Sequence, residues 1–91
     1  MAIMIDDAQV PAHDRLWCHL ASDLSFDELH AFVGQFQISA RGFDGDHYDV
    51  PTERRNDLVA AGAELVTSRE LVRRVIAAGL RRRQLRSEKR L

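Results

Sequence analysis

Two capping boxes set most of what this chain can fold into. Ser25-Phe26-Asp27-Glu28 and Thr67-Ser68-Arg69-Glu70 each place a hydroxyl three residues ahead of a glutamate. At a helix start, such a pair lets each side chain satisfy a backbone amide the helix leaves free. Behind the first box, Leu29, Phe32, Val33 and Phe36 fall on one helical face, with Leu24 and Leu29 at the staple positions and His30 off the stripe. Behind the second, Leu71, Val72, Val75 and Ile76 point inward, Arg69, Arg73 and Arg74 point outward, and Gly79 ends the helix.

Short β-favouring runs alternate with these helices. Ala2 to Asp6 reads as a first strand, Val10 to Asp14 as a loop, and Leu16 to Ser22 as a second strand with Trp17, His19 and Ala21 on one face. Asp46 to Val50, bounded by Gly45 and Pro51, is a third strand. Pro51 suits the first turn of a helix running through Leu58-Val59 to Gly62, and Ala63 to Val66 is a fourth strand. The order β-β-α-β-α-β-α predicts an α/β fold, a four-stranded mostly parallel sheet with three helices joined by right-handed crossovers. One domain is expected over residues 1–80, with a basic tail over 81–91.

At 91 residues and 45% hydrophobic composition, the chain can bury a self-sufficient core. No apolar stretch approaches the roughly 20 residues of a membrane span. The start, Met1-Ala2-Ile3-Met4-Ile5-Asp6, has no basic region and meets an acid at once, unlike a secretory signal, so a cytoplasmic location is expected. The single cysteine, Cys18, sits in an apolar run and reads as a buried thiol rather than a nucleophile.

In a parallel sheet the carboxyl ends of the strands collect ligands. The expected ends here are rich in polar groups: Asp6-Asp7, Ser22-Asp23, Asp49 and Thr67-Ser68, with His19 and His47 inside two of the strands. Carboxylates of Asp6, Asp23 and Asp49 could hold a divalent cation such as magnesium. His19 or His47 would then serve as acid or base. Tyr48 joins Asp23 and Asp49 as a candidate ligand-binding residue, able to hold a phosphate or stack on a base. The bland alternatives are helix capping for Asp23 and Asp49, a satisfied core role for His19, and one hydrogen bond in the core for Tyr48. Asp44-Gly45-Asp46-His47-Tyr48-Asp49 lacks the glycine and terminal glutamate of a calcium loop. Zinc-finger, phosphate-loop, dinucleotide and nucleophile-elbow motifs are also missing from the sequence.

Charge is divided unevenly. The net value of -1 conceals +7 over residues 69–91 and -8 over the remainder. Arg81, Arg82, Arg83 and Arg86 in the tail form a candidate polyanion-binding run, without the interleaved aromatics that base stacking needs. A solvated helix end is the plain alternative.

Taken together, Ala2-Ile3-Met4-Ile5-Asp6, Leu16-Trp17-Cys18-His19-Leu20-Ala21-Ser22-Asp23, Asp27-Glu28-Leu29-His30-Ala31 and Gly45-Asp46-His47-Tyr48-Asp49-Val50 carry a resemblance. With Ala61-Gly62-Ala63 and Ser68-Arg69-Glu70-Leu71, they resemble the small bacterial and phage family called domain of unknown function 4031. The resemblance covers roughly residues 2–80 and leaves out the tail. It implies a compact stand-alone domain and brings no activity with it.

The leading expectation is a ligand or metal site acting on a phosphate-bearing small molecule or nucleotide. The alternative is a nucleic-acid or protein adaptor that uses the third helix and tail. A self-associating module is a third, with Trp17, Phe26 or Phe43 forming a homo-oligomer patch.

Overall fold

A computed structural model describes residues 2–81. The elements are β1 (Ile3–Asp6), β2 (Val10–Ala12), β3 (Arg15–Ser22), α1 (Phe26–Gly34), β4 (Tyr48–Pro51), α2 (Arg55–Ala60), β5 (Glu64–Val66) and α3 (Ser68–Ala77). The fold is mixed α/β with three helices, as expected. The sheet is not: it has five strands and is mostly antiparallel.

Two features account for the difference. His13 and Asp14 both adopt positive φ, at 52° and 61°, which makes them the centre of a tight hairpin turn. Val10–Ala12 therefore folds back on Arg15–Leu16–Trp17 as a strand rather than running on as a loop. Pro11 is tolerated because β2 pairs only with β3 and lies at an edge. Secondly, residues 35–47 follow α1 and carry the chain back along the sheet, so β4 enters antiparallel to β3 instead of parallel. Among the described residues only the β1 to β5 pairing is parallel.

β3 is the axis of the sheet. Leu20 faces Ile5 on one side and Tyr48 on the other, and Trp17 faces Val10 and Pro51. Hence β1 and β2 lie end to end along one side of β3 and β4 along the other. Between Ile5↔Leu20 and Val10↔Trp17, five residues of one side pass three of β3, a bulge of two residues immediately after Asp6.

Both faces are covered. Ile3, Ile5, Cys18, Leu20 and Val50 pack against Leu29 and Val33 of α1 and Leu58 of α2. Met4 and Ala21 pack on the opposite face against Leu71 and Val75 of α3. This is why β1 reads as a continuous apolar run: Ile3, Met4 and Ile5 alternate between two buried faces.

The capping boxes are realised in half. Ser25 accepts from the Glu28 amide and Thr67 from the Glu70 amide. The glutamates turn elsewhere: Glu28 accepts from the Ser22 hydroxyl, and Glu70 pairs with Arg73. Pro51 closes β4 and precedes a short 3₁₀ turn, Thr52–Arg54, that leads into α2. At the end of α3, Gly79 takes φ 77° and the Leu80 amide donates to the Val75 carbonyl. That six-to-one bond stops the helix and aims Arg81 back across the sheet. No helix among the described residues is long and apolar enough to cross a membrane.

Candidate metal centre

His19 and Asp49 face each other across β3 and β4, and Asp6 ends β1 on the other side of β3. Neighbouring positions in a row across a sheet project to the same face, here the α3 face. His19 Nδ1 donates to Asp6 Oδ2 at 2.7 Å. Asp6 is 1% exposed and takes three further donors: the His19 amide at 2.9 Å, the Ala8 amide at 3.2 Å and the Ser68 hydroxyl at 2.9 Å. Burial would raise its carboxyl, but these donors, the His19 ring foremost, hold it at about 2. The same hydrogen bond raises the His19 imidazole above its usual value against the opposing effect of burial.

A second histidine comes from the loop before β4. Gly45, with φ 76°, turns the chain, and the Asp44 amide donates to the His47 carbonyl at 2.7 Å. His47 Nδ1 donates to Asp46 Oδ1 at 2.7 Å. Asp46 is held from behind by Arg81, whose Nε donates to Oδ2 at 2.6 Å. Burial raises the Asp46 carboxyl, and the Arg81 and His47 hydrogen bonds bring it below the ordinary value.

Both imidazoles thus spend Nδ1 on a carboxylate and turn Nε2 toward Asp49. The distances to Asp49 Oδ1 are 3.2 Å from His47 and 3.9 Å from His19. The rings meet edge to face at 5.1 Å. A neutral imidazole carries one proton. With that proton on Nδ1, each Nε2 presents a lone pair to an anionic oxygen, which is unfavourable unless a second proton or a cation lies between them.

The donor set suits a cation. One ligand atom each from His19, His47 and Asp49 lie within 4.8 Å of one another. Bonds of about 2.0–2.2 Å to a single ion would require only a small inward movement of these groups. Metal-ligating histidines characteristically donate their other nitrogen to a carboxylate, which fixes the tautomer and ring orientation. Two imidazoles and a carboxylate favour zinc, iron or manganese over magnesium, which prefers oxygen ligands.

The remaining sequence candidates lie elsewhere. Asp6 stands behind His19, with both oxygens already occupied. Asp23 is four residues beyond His19, about 13 Å along an extended chain. It accepts from Arg74 at 2.6 Å and from the Ala2 amide. Tyr48 is 4% exposed on the opposite face, packed in the α1 core cluster, and its hydroxyl pairs with His30 Nδ1 at 2.7 Å. Cys18 is buried. Arg81 belongs to the Asp46 clamp, while Arg82, Arg83 and Arg86 fall outside the described residues. Sequence reasoning missed the orienting role of Asp46. The adjacency Asp46-His47 was the available signal, but in a regular strand neighbours point to opposite faces, and only the Gly45 turn lets them meet. The sequence places Ser68 at the ligand edge and Arg81 in the polyanion-binding run, but their roles behind Asp6 and Asp46 come from the packing of α3 and are not legible there.

Fold and site together define a small α/β domain with a carboxylate-backed His–His–Asp group on one sheet face. The chain belongs to the family described as Protein of unknown function (DUF4031), whose model matches residues 3–78. No curated protein and no solved structure matches it.

Proposed function

We propose that this domain is a metal-dependent enzyme acting on a phosphate-bearing small molecule, with His19, His47 and Asp49 as the ligands of a divalent transition metal. The observation that carries the proposal is the paired orientation of the two histidines. Each is locked through Nδ1 by its own buried carboxylate and aims Nε2 at the same Asp49 oxygen. An ion there would polarise a phosphoryl oxygen and stabilise charge as it develops. Asp6 and Asp46 are positioning residues, acting through the imidazoles. Three protein ligands leave coordination positions for water and substrate, as in catalytic rather than structural metal sites.

The adaptor alternative has less support. Arg73 pairs with Glu70, Arg74 with Asp23 and Glu64, and Arg81 with Asp46, so these three cations are engaged within the fold.

Thermal melting of the metal-stripped full chain with added zinc, manganese, iron(II) or magnesium tests the metal site. Saturation a hundredfold over the dissociation constant adds about 2.7 kcal/mol. A shift with a transition metal that His47→Ala and Asp49→Ala both abolish supports the centre. If no metal moves the melting temperature, the proposal is wrong.

A further inference from the structure

A cleft of about 420 Å³ opens beside the metal triad and shares Asp49 with it. Its other walls include Trp17, Ile38, Arg41, Pro51 and Arg54. Trp17 and Pro51 are a cross-strand pair one step along from His19 and Asp49 on the same sheet face. We propose that this cleft binds the organic part of the substrate and that the substrate is a nucleoside phosphate: a planar ring against Trp17, with negative charge held by Arg41 and by the metal. This inference rests on the metal centre proposed above and names the ligand class of that same site.

The chemistry of the walls selects such a ligand. Trp17 is anchored, since its indole Nε1 donates to the Ala12 carbonyl at 2.8 Å and the Arg15 guanidinium lies 5.9 Å from the ring centroid; the residue lines the cleft. Pro51 and Ile38 add apolar surface beside it. Two guanidinium groups supply positive charge. Arg54 spends one nitrogen on the Phe36 carbonyl at 2.8 Å, which fixes the side chain in place. The Arg41 guanidinium has no hydrogen-bond or ion-pair partner among the described residues. An unpaired guanidinium presents a planar fork that matches phosphate. A sugar phosphate would leave the indole wall unused, and a neutral aromatic would leave the arginines unused.

The backbone that carries Arg41 is also tied to the strand that carries Asp49. It lies in a 3₁₀ turn, Ala40–Gly42, capped by Ser39, whose hydroxyl accepts from the Arg41 amide. Gly42 docks this turn on β4 so closely that an added Cβ would stand 3.0 Å from the Asp49 carbonyl oxygen. The turn that carries Arg41 is thus packed directly against the backbone of Asp49.

The test is isothermal titration of the full chain, with and without the metal that shifts its melting, against AMP, GMP, CMP, UMP, ribose 5-phosphate and inorganic phosphate. At least one nucleotide is expected to bind about tenfold or more tighter than ribose 5-phosphate, as base stacking on an aromatic residue provides. Trp17→Leu should bring that nucleotide down to the ribose 5-phosphate level. Arg41→Ala, at an exposed position, should weaken the nucleotide about tenfold and leave the metal-induced melting shift at its wild-type size. Equal affinities for all six ligands, no measurable nucleotide binding, or an Arg41→Ala variant that binds as wild type would each overturn the cleft assignment while leaving the metal centre intact. Nucleotide binding that is lost in Arg41→Ala, in a protein that no metal stabilises, would sink the metal centre and retain the cleft.

Discussion

The two histidines reach the same aspartate from differently built supports. Behind His19, Asp6 belongs to the sheet: it is fully buried and takes four hydrogen bonds, two of them from backbone amides. Behind His47, Asp46 belongs to a loop, and among the described residues its carboxylate holds, besides the histidine, only Arg81, a residue beyond the end of α3. The orienting hydrogen bond is 2.7 Å in both cases. Local geometry at the imidazole is therefore the same, while the structure that enforces it differs. One half of the centre is preformed by strand pairing, and the other is clamped by the C-terminal part of the domain.

Removing a ligand has the largest expected effect on either side and treats the two halves alike. His19→Ala or His47→Ala leaves two protein ligands, and the metal-induced melting shift should vanish in both.

Next in size, the orienting carboxylates should separate the halves. Asp6→Asn presents an amide where a carboxylate accepted four bonds, so the unliganded protein should lose about 2–3 kcal/mol in chemical denaturation. The amide also permits the His19 tautomer that protonates Nε2, and metal affinity should fall by about 10–100-fold. Asp46→Asn should cost the same range in metal affinity but less than about 1 kcal/mol in stability, because no strand pairing depends on it. Equal stability losses in the two variants would show that both carboxylates are equally built into the fold.

Arg81→Ala acts on the His47 half alone, with a smaller effect. It removes only the clamp behind Asp46, so metal affinity should drop by less than about tenfold, and denaturation should stay within about 1 kcal/mol of wild type. An Arg81→Ala variant as damaged as His47→Ala would mean that Arg81 carries more of the centre than its geometry implies.

A further effect, on stability alone, lies outside both halves. Burial tends to raise the Asp23 carboxyl, but Arg74 and the Ala2 amide lower it from the ordinary 3.8 to about 2. A depressed acid stabilises the fold above its unfolded pKa and loses that contribution as pH falls through the folded value. Stability in acid titration should therefore decline between about pH 4 and pH 2 by on the order of 1–2 kcal/mol from this group. Asp23→Asn should make that part of the curve shallower, leaving the share that Asp6 contributes, and leave metal binding unchanged, which would show that the opposite end of the sheet is structural.

Much of the fold is written in local chemistry. Both helix starts follow from hydroxyls at Ser25 and Thr67, and β1 and β3 from apolar runs bounded by acids. Topology is not local. The hairpin turn uses His13 and Asp14 where the usual signal is a glycine, so nothing in the sequence advertises that Val10 pairs with Trp17. Alternation of strands and helices suggests parallel crossovers, and the return path through residues 35–47 undoes them. For the site, His19, His47 and Asp49 are nameable by residue type and position near strand ends. The distance of Asp23 from them also follows from its place four residues beyond His19, but its partner does not, because Arg74 reaches it from α3. Tyr48 lies beside two of the candidates in sequence, yet strand alternation turns it to the other face.

The Asp6 carbonyl accepts from Arg55 Nε at 3.0 Å, and the Asp6 carboxylate receives the His19 amide where the register steps. One side chain thus closes a rung between β1 and β3 and aligns the imidazole beside it. Such economy has an evolutionary cost. Position 46 can be explored by a lineage that loses and later regains its chemistry, because the folded scaffold survives the loss. At position 6 the same excursion would also draw on the stability of the scaffold, so fewer intermediate descendants would remain from which to recover.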